Sequence, residues 1–142
     1  MTGAVITRTY GIEGGDFGRA GRVSTDIKDV LKSLGIAAPR IRRMAIAAYE
    51  AEMNVVMYAG RARVDLSITP EAIDLVVNDE GPGIPDIALA MREGYSTATA
   101  AMREMGFGAG MGLPNMRRNS DRFDIESTPG RGTRIAIRVD LT

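Results

Sequence analysis

At 142 residues the chain has the length of one domain and enough material to bury a core. Lys+Arg and Asp+Glu both number 18, so no net field draws the chain to nucleic acid or to an acidic membrane. The sequence has neither cysteine nor histidine, which excludes a disulfide framework, thiolate or histidine metal sites, Ser-His-Asp chemistry and phosphorylation on a histidine of its own.

A general base must therefore be a carboxylate or a perturbed lysine, and Lys28 and Lys32 are the only lysines. No apolar run approaches a membrane span and the N-terminus lacks a signal-peptide pattern, so the expectation is a cytoplasmic protein.

In chain order, Val5 to Tyr10 reads as a short strand ended by Gly11-Ile12-Glu13-Gly14-Gly15. Asp16 is placed to cap a helix running to about Gly35, with Phe17, Ala20, Val23, Ile27, Val30, Leu31 and Leu34 as its apolar stripe. Gly18 and Gly21 weaken its first turns. Lys28, Asp29 and Lys32 form its solvated face.

Pro39 sits where a first-turn proline belongs, and a second helix is expected from there to about Ala59, stopped by Gly60. Beyond Arg42 and Arg43 it is apolar around most of its circumference, as a buried helix is. Glu50, Glu52 and Asn54 interrupt it. Glu50 and Asn54 lie one turn apart on one face, where an unpaired carboxylate or amide is costly to bury. They either serve chemistry or cap loops and pair with Arg42 or Arg43. Glu52 points to another side and carries no assigned role.

Val64, Leu66 and Ile68 alternate with polar residues, and Pro70-Glu71 turns the chain into a second alternating strand, Ile73 to Val77. This is a hairpin with one wet face, the mark of an antiparallel sheet covered on one side. Asp79-Glu80-Gly81-Pro82-Gly83-Ile84 follows at the mouth of that strand. The Asp79 carboxylate suits an exocyclic amine, and the glycines let a ligand approach the backbone. Asp-x-Gly-x-Gly is equally ordinary turn chemistry.

A short helix is expected from about Asp86 to Glu93, stopped by Gly94, followed by the small, polar Tyr95-Ser96-Thr97-Ala98-Thr99-Ala100-Ala101. A loop this long in a compact domain is a functional lid or a disordered segment. Gly106, Gly108, Gly110 and Gly112 then alternate into a helix beginning Leu113-Pro114-Asn115-Met116-Arg117-Arg118, an arrangement that offers free N–H groups to an anion. It matches neither the P-loop pattern nor the dinucleotide fingerprint. Phe123 and Ile125, a Pro129-Gly130-Arg131-Gly132 turn, and Ile135, Ile137, Val139 and Leu141 close the chain as a hairpin. No repeat and no linker divides it, so residues 1–142 are read as one domain.

Taken together, Glu50-x-x-x-Asn54, Asp79-x-Gly81-x-Gly83, a lid, Gly106 to Gly112 before a helix, and Gly132-Thr133 resemble the GHKL (Bergerat-fold) ATPases, the superfamily of gyrase, Hsp90, histidine kinases and MutL. The length resembles the small serine-protein kinases among them, the anti-sigma factor and stressosome switch-kinase group. Gly81-Pro82-Gly83-Ile84-Pro85-Asp86, Glu93-Gly94-Tyr95-Ser96-Thr97, Gly108-Ala109-Gly110-Met111-Gly112-Leu113-Pro114 and Tyr58-Ala59-Gly60 look closest to the switch kinases, while Thr99 to Met105 lengthen the lid relative to them.

The resemblance implies an α/β two-layer sandwich, with helices on one face of a mixed, largely antiparallel sheet. It implies ATP or ADP with Mg2+ as cofactors, Asn54 holding the metal, and Glu50 as the base that deprotonates a serine or threonine hydroxyl. Asp79 would bind the adenine amine, with Gly81, Gly83 and Thr133 nearby. Gly106, Gly108, Gly110, Met111, Gly112 and Leu113 would line the phosphates, and a lid over about residues 84–105 would close on them. Arg92, Arg103 and Arg117 are candidate cations for the γ-phosphate. The implied activity is phosphorylation of a STAS-domain partner in sigma-factor or stress signalling, with a sigma factor or a phosphatase as further partners and a homodimer as the assembly. No direct nucleic acid or membrane partner is expected. The alternatives are an anti-sigma factor or nucleotide-gated switch that sequesters a partner with little or no phosphoryl transfer. A histidine kinase core fits less well, since the chain has no histidine and no room for a dimerisation helix pair.

Overall fold

The computed structural model describes residues 5–84, 86–92 and 112–142. Five strands form one sheet: β1 (Ile6–Glu13), β2 (Arg61–Ile68), β3 (Ala72–Asp79), β4 (Arg122–Thr128) and β5 (Gly132–Asp140). Their spatial order is β1-β2-β3-β5-β4, and each of these four pairings is antiparallel. Two helices, α1 (Arg22–Ser33) and α2 (Ala38–Tyr58), join β1 to β2; α3 (Ile87–Ala90) and α4 (Gly112–Arg118) lie between β3 and β4.

The expected two-layer sandwich follows from the period-two pattern. Ala62, Val64, Leu66 and Ile68 of β2, Ile73, Leu75 and Val77 of β3, and Ile135, Ile137 and Val139 of β5 are buried on one face. The helices cover that face. Met44, Ala47, Ala51 and Val55 of α2 and Ile27 and Leu31 of α1 complete the same core, together with Leu113 and Met116 of α4. The register Val64↔Val77 and Leu66↔Leu75 aligns the apolar rows, and Val77↔Ile135 carries them into β5.

Three boundaries differ from the sequence reading. Strand β1 continues through Gly11 to Glu13, because Gly11 and Ile12 pair with Arg63 and Ala62 of β2. The helix expected from Asp16 is broken: Phe17–Arg19 is a single 3-10 turn, and Gly21, with φ of +97°, separates it from α1. Helix α3 spans four residues, capped by Asp86, whose Oδ1 accepts the Leu89 N–H at 3.0 Å.

Glu52, unassigned from sequence, is a structural residue. It is 2% exposed and accepts the backbone N–H groups of Gly21, Val23 and Ser24 at 3.0, 3.2 and 2.9 Å. Gly21 has no side chain to cap α1, so a carboxylate from α2 satisfies the orphan donors and faces the positive end of the helix.

Candidate functional site

Helix α2 crosses the inner face of the sheet and presents Glu50 and Asn54, both half-buried, on one side. Helix α4 begins against that side. A Cβ added to Gly112 would stand 3.2 Å from Asn54 Oδ1 and 3.4 Å from Glu50 Oε2, so the glycine leaves both oxygens room that a side chain would fill. Among the described residues Glu50 has no ion pair with Arg42 or Arg43: Arg43 makes two hydrogen bonds to Asp121, at 3.0 and 3.2 Å, which tie α2 to the start of β4. Burial pushes the Glu50 carboxyl above the ordinary carboxylate range, and a hydrogen bond from the Asn115 side chain offsets part of that rise. A carboxylate whose proton affinity is raised towards the working pH is a better general base than an exposed one.

The second half of the site lies at the ends of β3 and β5. Asp79 Oδ1 accepts the N–H groups of Gly81 and Thr133, both at 3.0 Å, so the loop after β3 and the first residues of β5 fix the carboxylate. Close approach is built in on both sides. A Cβ on Gly81 would lie 3.1 Å from Asp79 Oδ1 and from the Ala59 side chain, and one on Gly132 would lie 2.0 Å from the Asp79 carbonyl oxygen. Gly83 has φ of +77°, and a Cβ there would meet the Thr128 carbonyl oxygen at 2.5 Å. The Thr133 hydroxyl lies 2.8 Å from Ser127 Oγ, which accepts the Ile84 N–H at 2.6 Å. This hydroxyl pair anchors the chain as it leaves Gly83.

The two halves meet at the C-terminus of α2. Gly14 donates to the Gly60 carbonyl at 2.8 Å and Gly15 to the Val56 carbonyl at 2.7 Å, while Gly81 approaches Ala59. Gly14 is obligatory, because a Cβ there would fall 1.7 Å from the Ala59 carbonyl oxygen. The structure thus brings Glu50, Asn54 and Gly112 together, and Asp79, Gly81, Gly83 and Thr133 together. Leu113 points elsewhere: it is 6% exposed and packs in the core beside α2, where its bulk seats α4. Gly106, Gly108, Gly110 and Met111 lie outside the described residues, as do Arg103, Tyr95-Ser96-Thr97 and most of the expected lid. Arg92 and Arg117 are exposed. Two contributors escaped the sequence reading. Asn115 reads there as one more helical residue, and Ser127 as one more polar residue of an alternating strand.

The family described as histidine kinase-, DNA gyrase B- and HSP90-like ATPase matches residues 40–142, from the first turn of α2 to the end of the chain. The serine/threonine-protein kinase RsbT of Bacillus subtilis is 32% identical over 112 residues, covering 76% of this chain and 78% of that protein. The anti-sigma F factor of Caldanaerobacter subterraneus is 28% identical over 118 residues, covering 83% of this chain and 75% of that protein. The anti-sigma F factor of Bacillus licheniformis is 31% identical over 99 residues, covering 66% and 64%.

Proposed function

The chain belongs to the histidine kinase-, DNA gyrase B- and HSP90-like ATPase family, and we propose that within it the protein is an ATP-dependent serine/threonine protein kinase acting on a STAS-domain partner in sigma-factor or stress signalling. The observation that carries this reading is the pair Glu50 and Asn54 on one face of α2, opening onto Gly112. Likeness to a serine/threonine-protein kinase over three quarters of the chain supports it.

Each residue has a task its chemistry fits. Asp79, fixed by two backbone donors, accepts a hydrogen bond from the adenine amine, with Gly81, Gly83 and Thr133 shaping the wall around it. The donor set fits Mg2+, a hard ion that takes amide oxygens and keeps phosphate and water as its other ligands, so Asn54 Oδ1 would hold it. The nucleotide supplies the phosphoryl group, and the protein supplies position and a proton acceptor. Glu50 takes the proton from the partner's hydroxyl. Gly106, Gly108, Gly110, Met111 and Gly112 are assigned to the phosphates on sequence pattern.

Transfer of the γ-phosphate from radiolabelled ATP to a panel of STAS-domain proteins from the same organism tests this reading. Labelling on serine or threonine, lost in Glu50→Gln, is the expected result. Nucleotide binding without labelling of any of them would overturn it. The anti-sigma F factors among the relatives favour a second reading, sequestration of a sigma factor under nucleotide control. In that case Glu50→Gln leaves partner capture intact and function unchanged.

A further inference from the structure

We infer that Ile46 and Tyr49 of α2 seat the phosphate-accepting protein, as an apolar contact beside Glu50 that holds the partner's hydroxyl-bearing segment over the site; this rests on the kinase reading above. Ile46 and Tyr49 are 37% and 41% exposed, on a helix whose other large apolar side chains are buried or half-buried. Ile46 stands four residues before Glu50 and three before Tyr49, so it neighbours both on the helix surface. Single exposed apolar residues are common on protein surfaces, whereas adjacent ones mark contact sites.

Tyr49 is backed by the start of α1. A Cβ on Gly21 would lie 3.7 Å from Tyr49 Cε1, so the ring rests along that glycine. An open groove of about 730 Å3 runs beside the ring, with Gly18, Arg19, Gly21, Thr25 and Asp26 in its lining. A rigid ring with a polar tip is the kind of side chain on which protein contacts concentrate.

Reach and charge identify the occupant. Glu50 takes a proton only from a hydroxyl within hydrogen-bond distance, so the acceptor protein must cover the surface around Glu50, to which Ile46 belongs. Gly112 lies against Glu50 and Asn54 while Arg43 reaches Asp121, so α4 runs antiparallel to α2. That brings the exposed Arg117 and Arg118 level with the first half of α2, where Arg42 is exposed. Neither α4 nor α2 as far as Tyr49 contains an acidic residue. The whole chain is neutral, so this positive end is local. The occupant is therefore a surface with an apolar side chain close to its acceptor serine or threonine and carboxylates facing Arg42. A second copy seated by the same face would bring charges of the same sign.

Ile46→Ser and Tyr49→Ser remove the apolar contact at exposed positions, where the fold loses little; Tyr49→Phe keeps the ring. Four measurements on the full chain separate the outcomes: ATP·Mg2+ affinity by calorimetry, kcat and KM for transfer to STAS-domain proteins of the same organism, capture of those proteins on a sensor surface, and mass by sedimentation. We expect KM for the accepting protein to rise at least about tenfold in each serine variant. Both kcat and ATP affinity should stay within about twofold, since the lost contact is made in ground and transition state alike. Tyr49→Phe should stay near wild type, and Arg42→Glu should raise KM while weakening its dependence on salt. An unchanged KM in both serine variants overturns the inference. So does a wild-type dimer that dissociates in either variant, which would make the face a surface for self-association. If the wild type binds ATP, captures a STAS-domain protein and phosphorylates none, the kinase reading fails, and loss of capture in the serine variants then upholds the docking face by itself. Capture that the variants retain, or no capture by the wild type, overturns the docking face as well.

Discussion

Ser24 donates its backbone N–H to Glu52 at 2.9 Å, and through that bond helix α2 caps helix α1. Two residues earlier on the same helix, Glu50 faces Gly112 and Asn115. One carboxylate of α2 thus serves the fold, and the other is the one we propose as the base.

Removing the first should cost stability and spare the site. Glu52→Ala leaves three N–H donors, two of them buried, without their acceptor, and a loss of about 3 kcal/mol is expected. Urea unfolding should show a lower midpoint at unchanged slope. Glu52→Gln keeps an acceptor and should lose less. Nucleotide affinity of the folded fraction should match the wild type in both.

Removing the second should do the reverse. The Glu50 carboxyl is raised in the folded state by burial, so folding disfavours its charged form. That penalty is fully present above the raised folded value and absent below the unfolded value, near pH 4. Glu50→Gln should therefore unfold at higher denaturant than wild type at about pH 7, with the difference closing as the pH falls towards about 4. In the wild type, phosphoryl transfer should decline with acidification at a higher pH than an ordinary exposed carboxylate would give.

Two glycines of one turn should behave oppositely. Gly132 has φ of +146°, and a Cβ there would collide with the Asp79 carbonyl oxygen, whereas Gly130, with φ of +82°, has open space around it. Gly130→Ala should cost about 1 kcal/mol of backbone strain and leave ATP affinity unchanged. Gly132→Ala should displace Asp79 and reduce ATP affinity as well as stability, as calorimetry and urea unfolding would show.

What could be read from the sequence is what is encoded locally. The β2–β3 and β4–β5 hairpins announce themselves through strict alternation and through Pro70-Glu71 and Pro129-Gly130. The start of α2 is marked by Pro39 and its end by Gly60. Glu50, Asn54 and Asp79 stand out because polar groups break apolar patterns there. What could not be read depends on partners distant in sequence. The donors to Glu52 lie 28, 29 and 31 residues away, and nothing in the local pattern of α2 separates it from Glu50. Gly11 reads as a breaker until its pairing with Arg63 is known. Leu113 reads as the first residue of a helix, and the resemblance adds it to the phosphate lining; the sequence does not show that its side chain is buried in the core, because that depends on how α4 packs on α2. Asn115 becomes visible only once α4 rests on α2.

The most direct test of the account is calorimetry of ATP with Mg2+ on the wild type, Asp79→Asn and Asn54→Ala. In Asp79→Asn the amide oxygen can still accept from Gly81 and Thr133, but the –NH2 then meets the adenine amine donor to donor, which should weaken binding by about 1–3 kcal/mol. Asn54→Ala should weaken ATP when Mg2+ is present and change little when the metal is chelated. Micromolar binding by the wild type, weakened in both variants, is the expected result. No heat from ATP or ADP with the folded wild type would contradict the account, leaving Asp79 a turn residue and Glu50 and Asn54 parts of the scaffold.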